Sequence, residues 1–523
     1  MHTELILAGL LFAIAALVTL ARVLNVPYPI FLVIGGLAIG VVPGMPHVEL
    51  EPELVLLIFL PPLLYSAAFF ASLRDLRDNL APISLLSVGL VLATCVAVAV
   101  CIHAVVPDMS WAAAFVLGAI VSPTDPVAAT AIAGRIGVPR RVVTVVEGES
   151  LINDATAITA YRVAVVAVTA GTFSVWDAGG KFLLGAAGGV VIGLAVGWLV
   201  AFVRERLDDP PVEITISLFT GYAAYLPAEE LGLSGVVAAV TVGLYMGSQT
   251  SRVTNAQVRM QGFAMWQLLV FLLNSFLFVL IGLQLPTLLD TLREADYDIV
   301  TVIGYGLLAS LTVVVVRIVW VFGFSFLSPA VRSRRPSTAN VGLIAWMGMR
   351  GAVSLAAALA LPTATDAGEP FTERPLILFI TFCVILFTLV VQGLTLPLVI
   401  RALRVEPDEA EAVEENKARK LAARAALDRL DLLAQEDWPR EDTIERMRGL
   451  YRYRYERFAA RFDEERDGDA IEARTSDYLR IVASVIEAQR ATLEDLRRDG
   501  TISAEVMRRV EHELDLEEGR MLG

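Results

Sequence analysis

Long apolar runs are the feature that most constrains how this chain can fold. The mean hydropathy is +0.64 and 56% of the 523 residues are hydrophobic, which is too apolar for a water-soluble protein with an ordinary surface. Most of the runs can cross about 30 Å of hydrocarbon as helices. We therefore predict an all-α polytopic membrane protein with thirteen transmembrane helices, called spans 1 to 13, over residues 4–22, 28–43, 53–72, 80–106, 111–134, 142–170, 179–203, 212–228, 232–249, 263–289, 299–327, 338–361 and 375–400.

Basic residues in the connections predict the orientation of the spans. Fifteen arginines lie in the odd-numbered connections or directly after span 13, whereas the even-numbered connections carry only Lys181, Arg293 and Arg374. Basic residues concentrate on the cytoplasmic side. We expect a plasma-membrane protein with its N-terminus outside. The first apolar run lacks a basic segment before it, which predicts a spanning helix rather than a cleaved signal peptide.

The composition changes at residue 405. From there onward the chain carries 31 acidic and 21 basic side chains in a charged, helix-forming sequence. We predict a transmembrane domain over 1–404 and an acidic, helical, cytoplasmic tail domain over 405–523. The net charge of −14 argues against a nucleic-acid partner, and membrane lipid is the expected surroundings of the first domain.

Span 5 contains the stretch SPTDPVAATAI. Pro123 and Pro126 each remove a backbone donor and disfavour helical geometry in the residue before them, so the helix is predicted to break around Thr124 and Asp125. Unwound backbone at membrane depth is tolerated where it lines a cavity, and its carbonyl groups can coordinate a cation. Asp125 either supports such a site or caps a half-helix.

Span 6 contains GESLINDATAI. Ser150 and Asp154 are four residues apart and share one helix face, with Glu149 and Asn153 in a row beside them. Oxygen ligands from Asp154, Ser150 and Thr124 suit a hard monovalent cation, and the sequence offers no cysteine and histidine cluster for a transition metal and no sign of a cofactor. A central charge costs about 3 kcal/mol on insertion, which indicates a function for Asp154.

Three further charges lie in apolar runs. Arg350 in span 12 needs a carboxylate partner, with Glu149 or Asp125 as candidates, and a pair with Glu149 is predicted to orient helices rather than to touch substrate. Removing Arg350 is expected to damage folding by leaving that carboxylate unpaired. Arg317 in span 11 and Glu213 in span 8 are either functional or snorkelling residues.

A buried carboxylate can bind a proton or a cation, but it cannot bind both well, because the two compete for the same oxygen atoms. If such a group faces the two sides of the membrane alternately, it exchanges one ion for the other. This competition makes Asp154 the predicted carrier.

Five motifs, in this order, resemble the sodium/proton exchanger family of bacterial cation/proton antiporters and animal exchangers: FLPPLLY, SPTDPVAATAI, EGESLINDATAI, AAYLPAEELGLSGVVAAVTVGLYMG and MGMRGAVSLAAALALP. The resemblance implies a homodimer in which a core domain slides against a dimerisation domain. It also implies an inverted repeat, with spans 5 and 12 as its interrupted pair. Asp154 is then the ion and proton carrier, Ser150 and the Thr124 to Asp125 region are ligands, and Asn153 and Asp125 support the site. The resemblance also implies that Glu149 pairs with Arg350.

Two details of the resemblance bear on the transported ion. An asparagine directly before the aspartate, as in Asn153 and Asp154, resembles the branch of the family whose members exchange one cation for one proton. Such exchange moves no net charge. Many relatives carry an acidic residue near the position of Ser66 on span 3, and its loss here leaves the choice among Na⁺, K⁺ and Li⁺ open.

Other classes fit the sequence less well. A cation channel would favour a ring of ligands over interrupted helices in corresponding halves. An intramembrane hydrolase using Asp125 and Asp154 would need paired aspartates in activating surroundings, so the protein is not expected to be an enzyme. A tail-regulated membrane sensor would not require the intact polar residues of spans 5 and 6.

Overall fold

The computed structural model describes residues 2–24, 27–42, 52–107, 109–127, 129–130, 133, 137–169, 175–294, 297–327, 337–365, 367–405, 409–459 and 468–522. Contacts between Cα atoms divide the chain into two units, Met1–Pro407 and Asp408–Gly523, next to the boundary predicted from composition. The location and role assigned to each part stay predictions.

The first unit contains helix at each of the thirteen predicted spans, and α1 to α13 keep the span numbers. The uninterrupted helices are α1 (His2–Val23), α2 (Tyr28–Gly40), α3 (Pro52–Phe70), α6 (Arg140–Thr169), α7 (Val175–Arg204), α8 (Pro210–Glu230), α9 (Gly235–Val253), α10 (Ala256–Glu294) and α11 (Ile299–Leu327). The helices α4 (Leu80–Val105) and α13 (Arg374–Ala402) each include a π-helical turn, Leu85–Leu90 and Thr388–Gln392.

A short helix, Leu73–Asp78, lies between α3 and α4, and the helices of the remaining two spans are interrupted. In the first, α5a (Trp111–Val121) ends before a non-helical stretch, and helical backbone resumes at Pro126. In the second, α12a (Thr338–Trp346) and α12b (Ala352–Leu359) are separated by residues 347–351. The predicted all-α fold with two broken helices, 5 and 12, is confirmed.

Six helices among the described residues are long and apolar enough to cross a membrane: α4, α6, α10, α11, α13 and most of α7. The apolar parts of α1, α2, α3 and α5a are shorter. Long apolar helices of this kind characterise a multi-pass membrane protein. The predicted number of thirteen crossings, which depends on the shorter helices, stays a prediction.

The helices of the first unit pack in two groups. One contains α4, α5a, α6, α11, α12 and α13, with α5a against both α4 and α6 and with α11 against α4 and α13. In the other, α2 packs on α10, and α9 packs on α3, α7 and α8. The first group holds both interrupted helices, so the polar residues predicted from the sequence are concentrated there.

Glu213 is buried in the second group rather than snorkelling to water. Its carboxylate lies 3.4 Å from Nε of Arg204 on α7, and the two side chains are 1% and 4% exposed. The alternative of a snorkelling Glu213 is therefore wrong, and the charge fastens α8 to the end of α7.

The second unit consists of four helices, α14 (Glu409–Leu433), α15 (Glu441–Ala459), α16 (Gly468–Arg498) and α17 (Ala504–Leu522). Contacts join α14 with α15 and α16 with α17. Arg490 on α16 binds Asp515 and Glu518 on α17, at 2.6 Å each. The described part of this unit is helical, as its charged, helix-forming composition predicts.

Candidate functional site

The two broken helices meet at their breaks. The backbone amide of Asp125 donates a 2.8 Å hydrogen bond to the carbonyl of Met349. Pro123 and Pro126 explain the break in α5, because neither supplies a backbone donor. The meeting point brings unwound backbone of both helices into one region, as expected for a pair of crossed half-helices.

Arg350 is fully buried and binds the end of a half-helix. Its guanidinium donates to the carbonyls of Val121 at 2.9 Å, Ser122 at 3.4 Å and Gly348. Val121 ends α5a, where the helix dipole places partial negative charge. The sequence predicted a carboxylate partner, but within the described residues the guanidinium of Arg350 donates to carbonyl oxygens instead.

Glu149 pairs with Arg317 on α11. The Arg317 guanidinium binds both carboxylate oxygens of Glu149, at 2.6 and 2.8 Å, and also the carbonyl of Ile344 in the last turn of α12a. The predicted pair of Glu149 with Arg350 is wrong in this respect, although Arg350 lies within electrostatic range of both residues. Arg317 does not snorkel, because its side chain is fully buried.

Thr124 and Asn153 extend this network into the break of α5. The Thr124 hydroxyl donates to Glu149 at 3.0 Å and accepts from the Asn153 amide at 2.8 Å. Thr124, Glu149 and Asn153 are all buried. The side chains of Thr124 and Asn153 therefore hold α6 against the break, so the oxygens that this segment could offer to a cation are backbone oxygens, including that of Thr124, and the Asp125 carboxylate.

Asp125 lies at the beginning of two half-helices. Its Oδ1 accepts a 2.8 Å hydrogen bond from the amide of Val127, where helical backbone resumes. A Cβ at Gly351, which caps α12b, would collide with the Asp125 carboxylate. Helix N-termini favour negative charge. The contacts of Asp125 are those of a residue that caps a half-helix, which is one of the two alternatives predicted for it.

Asp154 lies beside this crossing on the wall of a cavity of about 680 Å³. Its side chain is 6% exposed, and no hydrogen bond or ion pair joins it to another described residue. Ser150 and the Thr124 to Asp125 break line the same cavity. The structure thus brings together the predicted oxygen ligands Asp154, Ser150 and Thr124, with Asp125 as a charged neighbour of Asp154.

Ser66 also lines this cavity. It is 3% exposed and donates a 3.0 Å hydrogen bond to the carbonyl of Leu63 one turn earlier on α3. A longer acidic side chain at this position would extend into the cavity, so the serine leaves this part of the cavity wall without a charge.

Several polar residues of the cavity were not identified from the sequence. They are Glu147 on α6, Gln267 and Asn274 on α10 and Ser354 on α12b. Helical spacing could have identified Glu147, which lies seven residues before Asp154. Nothing in the spacing of span 10 or span 12 indicated the others, because their position depends on how separate helices pack.

The polar side chains of the cavity wall offer oxygen atoms that could bind a cation. Among the described residues, no group of three or more histidine, cysteine, aspartate or glutamate side chains could hold a metal ion. Carboxylate, hydroxyl and carbonyl oxygens suit hard cations. One carboxylate with few neutral ligands can bind an alkali cation or a proton.

The sequence matches the transmembrane sodium/hydrogen exchanger family over residues 9–402. The chain belongs to this family. An uncharacterized Na⁺/H⁺ exchanger of Mycobacterium tuberculosis is 38% identical over 522 residues, which cover 98% of this chain and 95% of that relative. A sodium, potassium, lithium and rubidium/H⁺ antiporter of Bacillus subtilis is 34% identical over 385 residues, 71% of this chain and 58% of the relative.

The fold of this exchanger-family chain also resembles a solved structure. The sodium proton antiporter of Methanocaldococcus jannaschii superposes with a TM-score of 0.60 at 21% sequence identity, covering 78% of this chain and all of the other. At this identity the match establishes the antiporter fold for the membrane unit. It confirms the fold that the five motifs predicted, and the sequence match over residues 9–402 confirms the family.

Proposed function

We propose that this protein is a secondary antiporter that exchanges Na⁺ for H⁺ by alternating access, with Asp154 as the shared carrier of both ions. The observation that carries this proposal is the position of Asp154, a buried carboxylate without a cationic partner among the described residues, on the wall of a cavity. The names of the relatives in Mycobacterium and Bacillus support the same exchange.

Competition at one carboxylate couples the two ions. A deprotonated Asp154, with Ser150 and backbone oxygens of the α5 break, binds the cation. Protonation removes the charge that attracts the cation, so the cation leaves. Each transport cycle then moves one cation against one proton, so the exchange is electroneutral. The gradient of one ion drives the movement of the other, without ATP or a cofactor.

The apolar packing behind Asp154 supports access from one side at a time. A second cavity, of about 510 Å³, lies on another side of α6, and Leu151 lines both cavities. Leu151 belongs to one buried apolar cluster with Leu60 and Leu64 of α3 and Val240 of α9. This cluster lies between the two helix groups, so sliding of one group along the other would open the second cavity and close the first.

The remaining features of the proposal concern assembly and selectivity. We infer a homodimer in the plasma membrane with the N-terminus outside and the tail in the cytoplasm, from the distribution of arginines and the resemblance of the motifs. The absence of a carboxylate at Ser66 and the relative that transports several alkali cations extend the candidate substrates to K⁺ and Li⁺.

The test uses everted membrane vesicles, in which the cytoplasmic face is outside. A proton gradient is built, and its collapse is recorded on addition of Na⁺, K⁺ or Li⁺. We expect at least one cation to collapse the gradient. Asp154→Asn should abolish this response while the protein remains folded, since it keeps the shape of the side chain and removes its charge.

Asp290→Asn is the matched control, because Asp290 is exposed and its partner Arg293 is exposed as well. It should exchange like the wild type. If wild-type protein responds to no cation at any pH, the antiporter proposal is wrong, and the channel and sensor alternatives gain support. If Asp154→Asn retains exchange, another residue is the carrier.

A further inference from the structure

Glu147 is a second carboxylate on the wall of the cavity that contains Asp154. Its side chain is exposed, whereas that of Asp154 is 6% exposed. No hydrogen bond or ion pair joins Glu147 to another described residue. Its charge is thus available to ions in the cavity, and neither the motif analysis nor the proposed carrier mechanism assigns it a role.

The two carboxylates share one face of α6. Residues 147, 150, 151 and 154 have the spacing of a single helical stripe, and all four line the cavity. Seven residues correspond to a rise of about 10 Å along the helix. Glu147 lies nearer the beginning of α6, which the arginine distribution places on the cytoplasmic side.

The deep part of the cavity contains polar groups without partners. Two of them are Asp154 and the Ser354 hydroxyl, and the latter is 1% exposed and makes no hydrogen bond within the described residues. Such groups indicate a place where a ligand with affinity for oxygen binds. A carboxylate at the outer part of the same cavity raises the local concentration of cations, because low-dielectric walls focus its field.

We propose that Glu147 binds incoming cations at the outer part of the cavity, before they reach Asp154. Glu147 thereby sets the apparent affinity for the transported cation on the cytoplasmic face. The inference rests on the proposed function. It concerns how often a cation reaches the carrier site, so it predicts an effect on KM and little effect on the maximum rate.

The experiment compares cation KM values of wild type, Glu147→Gln and Glu147→Asp in everted vesicles. Glu147→Gln should raise KM about fivefold, the effect of one charge about 4 Å from a cation in water, with a maximum rate within about twofold of wild type. Glu147→Asp keeps the charge and should stay close to wild type. High choline chloride should reduce the difference, because salt screens the carboxylate.

Two controls locate the effect. Glu205→Gln removes a glutamate charge in a connection predicted to be cytoplasmic and outside the cavity lining, and it should leave KM unchanged. In right-side-out vesicles, where added cation meets the opposite face, Glu147→Gln should have little effect on KM.

An unchanged KM for Glu147→Gln in everted vesicles would overturn the inference, and so would an equal rise for Glu205→Gln or a lower maximum rate at constant KM. Each of these results leaves the wild-type exchange intact, which separates failure of the inference from failure of the proposed function. Wild-type protein without any exchange would refute both.

Discussion

Arg317 binds Glu149 through two hydrogen bonds of 2.6 and 2.8 Å, and the two side chains are 0% and 1% exposed. The same guanidinium holds the carbonyl of Ile344 near the break in α12. One buried ion pair therefore connects α6, α11 and α12 next to the candidate carrier. We expect this pair to fix the position of these helices rather than to bind a transported ion, since Arg317 already neutralises Glu149.

Arg317→Met should destabilise the membrane unit by about 3–5 kcal/mol, because it leaves the buried Glu149 carboxylate unpaired. The double variant Arg317→Met with Glu149→Gln removes both charges and should recover part of that loss. Melting temperatures of the purified proteins in detergent measure both effects. A double variant no more stable than Arg317→Met alone would contradict this interpretation of the pair.

Arg350→Met should destabilise the protein less than Arg317→Met does. It leaves neutral carbonyls, chiefly that of Val121, without their donor, at about 1–3 kcal/mol, whereas the Glu149 carboxylate keeps its hydrogen-bonded partner Arg317. The same melting experiment compares the two variants directly. A larger loss for Arg350→Met would indicate that Arg350 is the main charge partner of Glu149.

Gly351→Ala should abolish most exchange and lower stability by about 1–3 kcal/mol, because the new methyl group collides with the Asp125 carboxylate. Gly323→Ala on α11 is the matched control, since a Cβ there meets nothing within 4 Å. Exchange rates in vesicles and melting temperatures should separate the two variants. Equal exchange and stability of the two variants would show that close contact between Gly351 and Asp125 is not required.

The proposed carrier role of Asp154 makes proton and cation compete for one carboxylate, so it predicts that the apparent KM for the cation rises as the pH falls. Once the carboxyl group is mostly protonated, the rise should approach about tenfold for each pH unit, because cation binding then releases one proton. KM values measured over a pH series in everted vesicles test this. A constant KM with a changing maximum rate would show that the proton acts at another group.

Ser66→Glu adds a carboxylate to the wall of the cavity that contains Asp154 and should lower the cation KM about fivefold or more. Ser66→Gln has nearly the same shape without the charge and is the control. The two variants are compared for Na⁺, K⁺ and Li⁺ in the vesicle experiment. If Gln changes KM as much as Glu does, the effect comes from shape rather than from charge.

The sequence by itself determined the features that depend on local rules. Apolar runs predicted each of the long helices of the first unit, because hydrocarbon requires about 20 apolar residues for one crossing. Two prolines predicted the break in α5, and the helical period placed Ser150 and Asp154 on one face. The break in α12 contains no proline, so only the resemblance to a known family predicted it.

The tertiary structure decided which charges meet. The sequence offered Arg350 as the partner of Glu149, but packing brings Arg317 to Glu149 and directs Arg350 to the carbonyls at the end of α5a. Helical period fixes neighbours within one helix, whereas partners on separate helices depend on how the helices pack. The same reason explains why Asn274 on α10 and Ser354 on α12b were recognised as part of the cavity only in the folded protein.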